Sequence, residues 1–128
     1  MPNGFVHIEL NTDDLAGSRK FYGKLFKWKL SPMPGMATYI GVDAGKGATG
    51  GGMQTKPMPE APTSWLPYVE VDDVKKTIAR ARKLGATIVL EYQPIGEMGE
   101  IGIFMDPSGA ALGVWAAAKK PKKKKSRR

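Results

Sequence analysis

Cysteine is absent from the 128 residues, which removes disulfides, thiolate nucleophiles and every Cys-ligated metal site. Histidine occurs once, as His7. Chemistry that needs two imidazoles would therefore need a second subunit. No run approaches the roughly 20 consecutive apolar residues that a membrane helix requires, and the opening MPNGFVHIEL has neither a basic start nor a long apolar segment. The expectation is a soluble, cytoplasmic chain with no membrane span. The charge is unevenly placed. The formal net charge is +8, and the last ten residues, KKPKKKKSRR, hold eight of the twenty Lys and Arg and no acid. Residues 1–118 carry twelve basic and twelve acidic side chains. The body is neutral and the excess is a tail, expected to be disordered because it has nothing apolar to bury.

What is present is a repeat. FVHIEL alternates as a half-buried strand, with Val6, Ile8 and Leu10 on one face and His7 and Glu9 on the other. Asp13 or Asp14 then caps a helix of about 14–26, whose Leu15, Tyr22, Leu25 and Phe26 form a stripe. WKLSPM, ATYIGVD and TGGGMQT follow as short strands separated by Pro and Gly turns. KPMPEAP, with three prolines, reads as a linker. After it the order recurs: SWLPYVEV, a cap at Asp72 or Asp73, the helix VKKTIARARKLG with Val74, Ile78 and Ala81 inward, then ATIVLEY, EIGIFM and AALGVW. Asp14 and Asp73, Leu15 and Val74, and Leu25 and Leu84 are each separated by 59 residues. One offset kept across cap, helix start and helix end identifies two βαβββ modules. The expected fold is α+β, with mixed four-stranded sheets forming a cavity and one helix per module. Module 1 covers about 4–55, the linker 56–63 and module 2 about 64–117, in a single domain over 1–118, with 119–128 as the tail.

Two βαβββ modules, the strand with His7 followed by DDLAGSRKFYGKLFKW, the LGA that ends the second helix, and FMDPSGAALGVW near the terminus resemble the vicinal oxygen chelate superfamily. This is the superfamily of glyoxalase I, bleomycin resistance proteins and extradiol dioxygenases. The resemblance covers about residues 5–116. Within it, MPGMATYIGVD, GGGMQTKPMP and PIGEMGEIGIFMDPSGAALGVW are similar to a metal-poor, glyoxalase-like branch of unsettled activity. The turn in Phe104–Gly109 has a physical basis. Asp106 can accept backbone N–H bonds, Pro107 presets φ, and Gly109 tolerates positive φ.

Metal-dependent members place donors at four equivalent strand positions, where a cation polarises substrate oxygens. By the resemblance those positions are His7, Gln54, Leu66 and Gly113. Leu66 and Gly113 supply no donor, and a metal centre of that kind needs at least three protein ligands. The expectation is no tightly bound catalytic divalent metal, with an oxygen-rich set of His7, Glu9 and Glu70 as the other route to one. His7 and Glu9 are the candidate catalytic pair, as a general acid and base. The candidate pocket residues are Gln54, Leu66, Tyr68, Glu70, Phe104, Gly113 and Trp115, with Met33, Met36, Met53 and Met98 toward its rim. Aromatics, adaptable methionines and a few polar groups suit a small, partly apolar ligand. The glycines Gly50 to Gly52 lack the helix and the Lys-Ser/Thr of a phosphate loop, so they are read as room for a bulge or a close strand approach.

Three functions stay open at this point. One is a glyoxalase-like enzyme of the lyase or dioxygenase class. Another is a non-catalytic protein that sequesters its ligand, as the bleomycin resistance proteins do. The last is a nucleic-acid-associated dimer that makes a weak, salt-sensitive contact through Lys119–Arg128. In each case a homodimer is expected.

Overall fold

A computed structural model describes residues 3–118. The basic tail, 119–128, lies outside the described residues. The elements are β1 (Phe5–Thr12), α1 (Leu15–Leu25), β2 (Lys29–Met33), β3 (Met36–Asp43), β4 (Gly51–Thr55), β5 (Ser64–Glu70), α2 (Val74–Lys83), β6 (Thr87–Ile95), β7 (Gly99–Met105) and β8 (Ala111–Ala117). This is the βαβββ order twice, the α+β fold read from the sequence. The two aspartates 59 residues apart are both N-caps. Asp14 accepts from the Gly17 N–H and Asp73 from the Lys76 N–H, each at 2.9 Å. The described residues divide into two compact units, the first ending at Val69 and the second beginning at Glu70.

In the first unit β1 lies between β4 and β5. It pairs parallel with β4 and antiparallel with β5, while β3 pairs antiparallel with β4 and with β2. Period-two alternation then sorts the side chains. Leu10, with Ile40 and Met53, faces a core shared with Leu15 and Tyr22 of α1 and with Trp28, Leu30, Val42 and Trp65. His7, Glu9 and Asn11 face the other way. Two expectations are corrected here. Leu25 and Phe26 do not complete the buried stripe of α1, since they are 57% and 44% exposed. Met53 is fully buried in this core rather than at a pocket rim.

In the second unit β7 pairs antiparallel with β6 and with β8. Helix α2 lays Val74 and Ile78 on Val114 and Ala116, with Val71, Ile88, Tyr92 and Phe104 around them. A Cβ on Gly102 would sit 2.8 Å from Ile78, so the glycine lets the helix approach β7. The β7–β8 turn follows the sequence reading. Asp106 Oδ1 accepts from Ser108 N at 2.8 Å and Ala110 N at 3.1 Å, and Gly109 has φ of 99°.

Candidate ligand-binding site

Glu9 is a carboxylate at 8% exposure in the middle of β1. A buried charge needs donors, and the neighbouring strands supply them. Tyr39 on β3 donates its hydroxyl to Glu9 Oε2 at 2.9 Å, and Tyr68 on β5 donates to Oε1 at 3.1 Å. Gln54 on β4 turns its amide toward Oε1 at 3.5 Å and donates to Asn11 Oδ1 at 2.8 Å. His7 closes the chain, with Nε2 2.7 Å from the Tyr39 hydroxyl oxygen. Its ring lies edge-on to Tyr68, with centroids 5.7 Å apart at 70°. Four strands thus converge on one carboxylate.

Register explains the convergence. His7 is opposite Tyr68 across β1 and β5, Asn11 is beside Gln54 across β1 and β4, and Tyr39 is opposite Gln54 across β3 and β4. Tyr39 must still reach over β4 to touch β1. Gly52 allows it, because a Cβ there would overlap Cε1, Cζ and the hydroxyl oxygen of Tyr39. Gly51 likewise lies against the Ile8 carbonyl. The triple glycine is therefore a close strand approach, as the sequence reading had it, with a ring laid over one of its members.

The electrostatics follow from burial and from Glu9. Burial holds the His7 imidazole below its ordinary value against the opposing pull of the Glu9 carboxylate, so it is neutral at pH 7. Burial, the charge of Glu9 and the hydrogen bonds to it push both tyrosine hydroxyls far above their usual range. They stay protonated and act as donors. Among the described residues no lysine or arginine pairs with Glu9; Lys56 pairs instead with Asp13 at 3.1 Å.

Of the residues singled out from sequence, His7, Glu9, Gln54 and Tyr68 form this network, and the buried Leu66 is opposite Glu9 on β5. The other candidate pocket residues, Glu70, Phe104, Gly113 and Trp115, belong to the second unit. Phe104 is corrected, since it packs with the α2 core rather than lining a pocket. Gly113 lies opposite Ile103, and Trp115 lays its ring beside Gly99, where a Cβ would come within 2.9 Å of it. Glu70 ends β5 and is partly buried. Tyr39 and Asn11 were missed. The signal for Tyr39 was the glycine run, which marks where a large side chain crosses a strand. Asn11 carries the simple parity of His7 and Glu9.

A fold with eight strands and two helices in this order, bearing this polar face, belongs to a defined class. Residues 4–114 match the model of the Glyoxalase/Bleomycin resistance protein/Dioxygenase superfamily, and the chain belongs to that superfamily. It is 30% identical over 115 residues to a protein of Mycobacterium tuberculosis named "Putative glyoxylase CFP32", covering 86% of this chain and 44% of that protein. It is 25% identical over 137 residues to the anthracycline biosynthesis protein DnrV of Streptomyces peucetius, covering 89% and 47%. The chain thus spans about half the length of these curated relatives. Among solved structures, methylmalonyl-CoA epimerase from Mycobacterium tuberculosis shares the fold at a TM-score of 0.64 and 14% identity, covering 96% of this chain and 92% of that one.

The donor set does not fit the divalent cation that metal-dependent relatives use. Leu66 has no donor atom and Gly113 no side chain. His7 Nε2 and both Glu9 oxygens are committed to Tyr39, Tyr68 and Gln54. Among the described residues no group of three or more His, Cys, Asp or Glu could hold a metal ion. Among them, too, no helix is long and apolar enough to cross a membrane.

Proposed function

We propose that this chain binds a small, uncharged, partly apolar molecule over the face formed by His7, Glu9, Tyr39 and Tyr68, as a glyoxalase-like protein working without metal. The observation that carries the reading is the buried Glu9 carboxylate held by two tyrosine hydroxyls and an amide. Such a preorganised polar set, with a fixed negative charge and a neutral imidazole, favours a neutral hydrogen-bonding ligand and repels carboxylates and phosphates. His7 is the group that would exchange a proton with the ligand, in a lyase-type reaction. A dioxygenase reaction would require a redox metal that the donor set does not suit.

A thermal-shift screen of neutral hydroxy-aromatic and hydroxy-ketone compounds tests the binding. Hits that stabilise the wild type and lose their effect in Tyr68→Phe and His7→Ala support the reading. Hits confined to anionic compounds, or unaffected by both substitutions, reject it. Mass spectrometry of the hits after incubation separates turnover from sequestration. Titration with Ni²⁺ or Mn²⁺ should give no stoichiometric binding.

The charge at the carboxyl terminus favours a second, separate activity. Eight basic residues in ten make Lys119–Arg128 a site for anionic polymers, independent of sequence and weakened by salt. DNA affinity equal in the full chain and a chain ending at Ala118 would discard it. Sedimentation of the full chain tests the homodimer that this reading also expects.

A further inference from the structure

We propose that Tyr39 is a positioning residue that fixes His7 as the neutral tautomer carrying its proton on Nε2, so that Nδ1 is the lone pair offered to the ligand. The inference deepens the reading of the site given above and rests on it for the ligand alone. Its basis is a count of hydrogens.

A tyrosine hydroxyl has one proton to donate. At Tyr39 that proton is directed to Glu9 Oε2 at 2.9 Å, because a carboxylate can only accept. The same hydroxyl oxygen lies 2.7 Å from His7 Nε2. With its only hydrogen committed, the oxygen can meet Nε2 solely as an acceptor, and Nε2 must carry the hydrogen. The imidazole is neutral, its protonation opposed by burial, so Nδ1 has none. The tautomer of a histidine is set by the partner of one ring nitrogen. Here that partner is a tyrosine whose own direction is set by a buried carboxylate.

The ring has little freedom to escape this arrangement. Tyr39 lies nearly parallel to it at 21°, and Tyr68 meets it edge-on. Against the imidazole stand Glu9 from its own strand, Tyr39 from β3 and Tyr68 from β5, while Gln54 of β4 turns its amide to Glu9 and Asn11. The two hydroxyls and the amide all point their hydrogens at Glu9, so nothing in the cluster reverses the direction of the chain. The ligand class follows. An unprotonated Nδ1 recognises a hydroxyl, an enol or an acidic C–H, and offers nothing to a carbonyl oxygen.

The chain has one histidine, so a long-range proton–nitrogen spectrum of the ¹⁵N-labelled, tag-free protein shows a single imidazole. In the wild type near pH 8, Nε2 should take the shift of a protonated ring nitrogen and Nδ1 that of an unprotonated one, both at their limiting positions. Tyr39→Phe should move both toward the average of two exchanging tautomers. Tyr68→Phe, which leaves the Tyr39 bridge intact, should leave them at the wild-type positions. A wild type with the proton on Nδ1, or with shifts already averaged, overturns the proposal. So does a folded Tyr39→Phe that keeps the wild-type shifts. If that variant fails to fold, the wild-type spectrum still tests the proposal, because a proton on Nδ1 or averaged shifts overturn it. No ligand is present in the experiment, so an empty ligand screen beside a locked tautomer would sink the ligand reading and leave this one standing.

Discussion

Gly52→Ala isolates the device on which the site depends. The substitution adds one methyl group, and the added Cβ would coincide with the ring edge and hydroxyl of Tyr39. Gly52 does not have a positive φ, so alanine is acceptable to the backbone and all of the damage must come from the ring. Three contributions set the magnitude. Losing the hydrogen bond from Tyr39 to a charged carboxylate costs about 1.5–3 kcal/mol. Forcing an extra carbon into a packed site costs about 1–3 kcal/mol. Replacing glycine by alanine inside a strand returns about 0.5–1 kcal/mol. The net expectation is a loss of about 2–5 kcal/mol of stability. Urea unfolding followed by tryptophan fluorescence measures it, since Trp28 and Trp65 belong to the core of the same unit. A double-mutant cycle makes the test specific. In a Tyr39→Val background the ring is gone, and Gly52→Ala should change stability by less than about 1 kcal/mol in either direction. Equal costs in the two backgrounds would refute the argument. A single variant within about 0.5 kcal/mol of wild type would refute it too.

Three further outcomes are expected. Because the folded His7 lies below the ordinary value of 6.5, the unfolded chain takes up a proton first as pH falls. The His7 contribution is therefore intact above 6.5, is lost progressively below it, and is gone once pH has passed the folded value; His7→Gln should flatten the Tm profile over that interval. Asp106 behaves likewise at lower pH. The Ser108 hydroxyl and then the Ala110 and Ser108 N–H groups hold it below its ordinary 3.8, so Asp106→Asn should lower Tm at pH 7, with the gap closing well below pH 3.8. Ile78 is fully buried beneath α2 against Gly102, and Ile78→Ala should cost about 2–5 kcal/mol in the same urea assay.

Local rules were enough for the skeleton. Capping aspartates, proline and glycine punctuation, and two alternations of period two and 3.6 are properties of adjacent residues, so β1, α1, α2 and the β7–β8 turn could be placed before any contact was known. The repeat offset of 59 marked the second βαβββ order as a copy of the first. The parity of β1 put His7 and Glu9 on one face, and the structure places them there, bridged by Tyr39. Family membership came from the same local signals.

Tertiary structure decided which face was which and what reached across. Strand periodicity says that Gly102 and Phe104 share a side. Only the seating of Ile78 on Gly102 shows that this side belongs to the helix, which is why Phe104 was misplaced. The same uncertainty put Met53 at a rim when it is core. The carboxylate network is less local still. Tyr39 and Glu9 are 30 residues apart, and Tyr68 and Glu9 are 59 apart. Hydrogen bonds at such separations depend on strand order and register, which long-range packing selects. The sequence alone determined that a histidine and a glutamate would stand side by side on a strand. That a tyrosine laid over a glycine would join them, and so set where the histidine holds its proton, was decided only when β4 came to lie between β3 and β1.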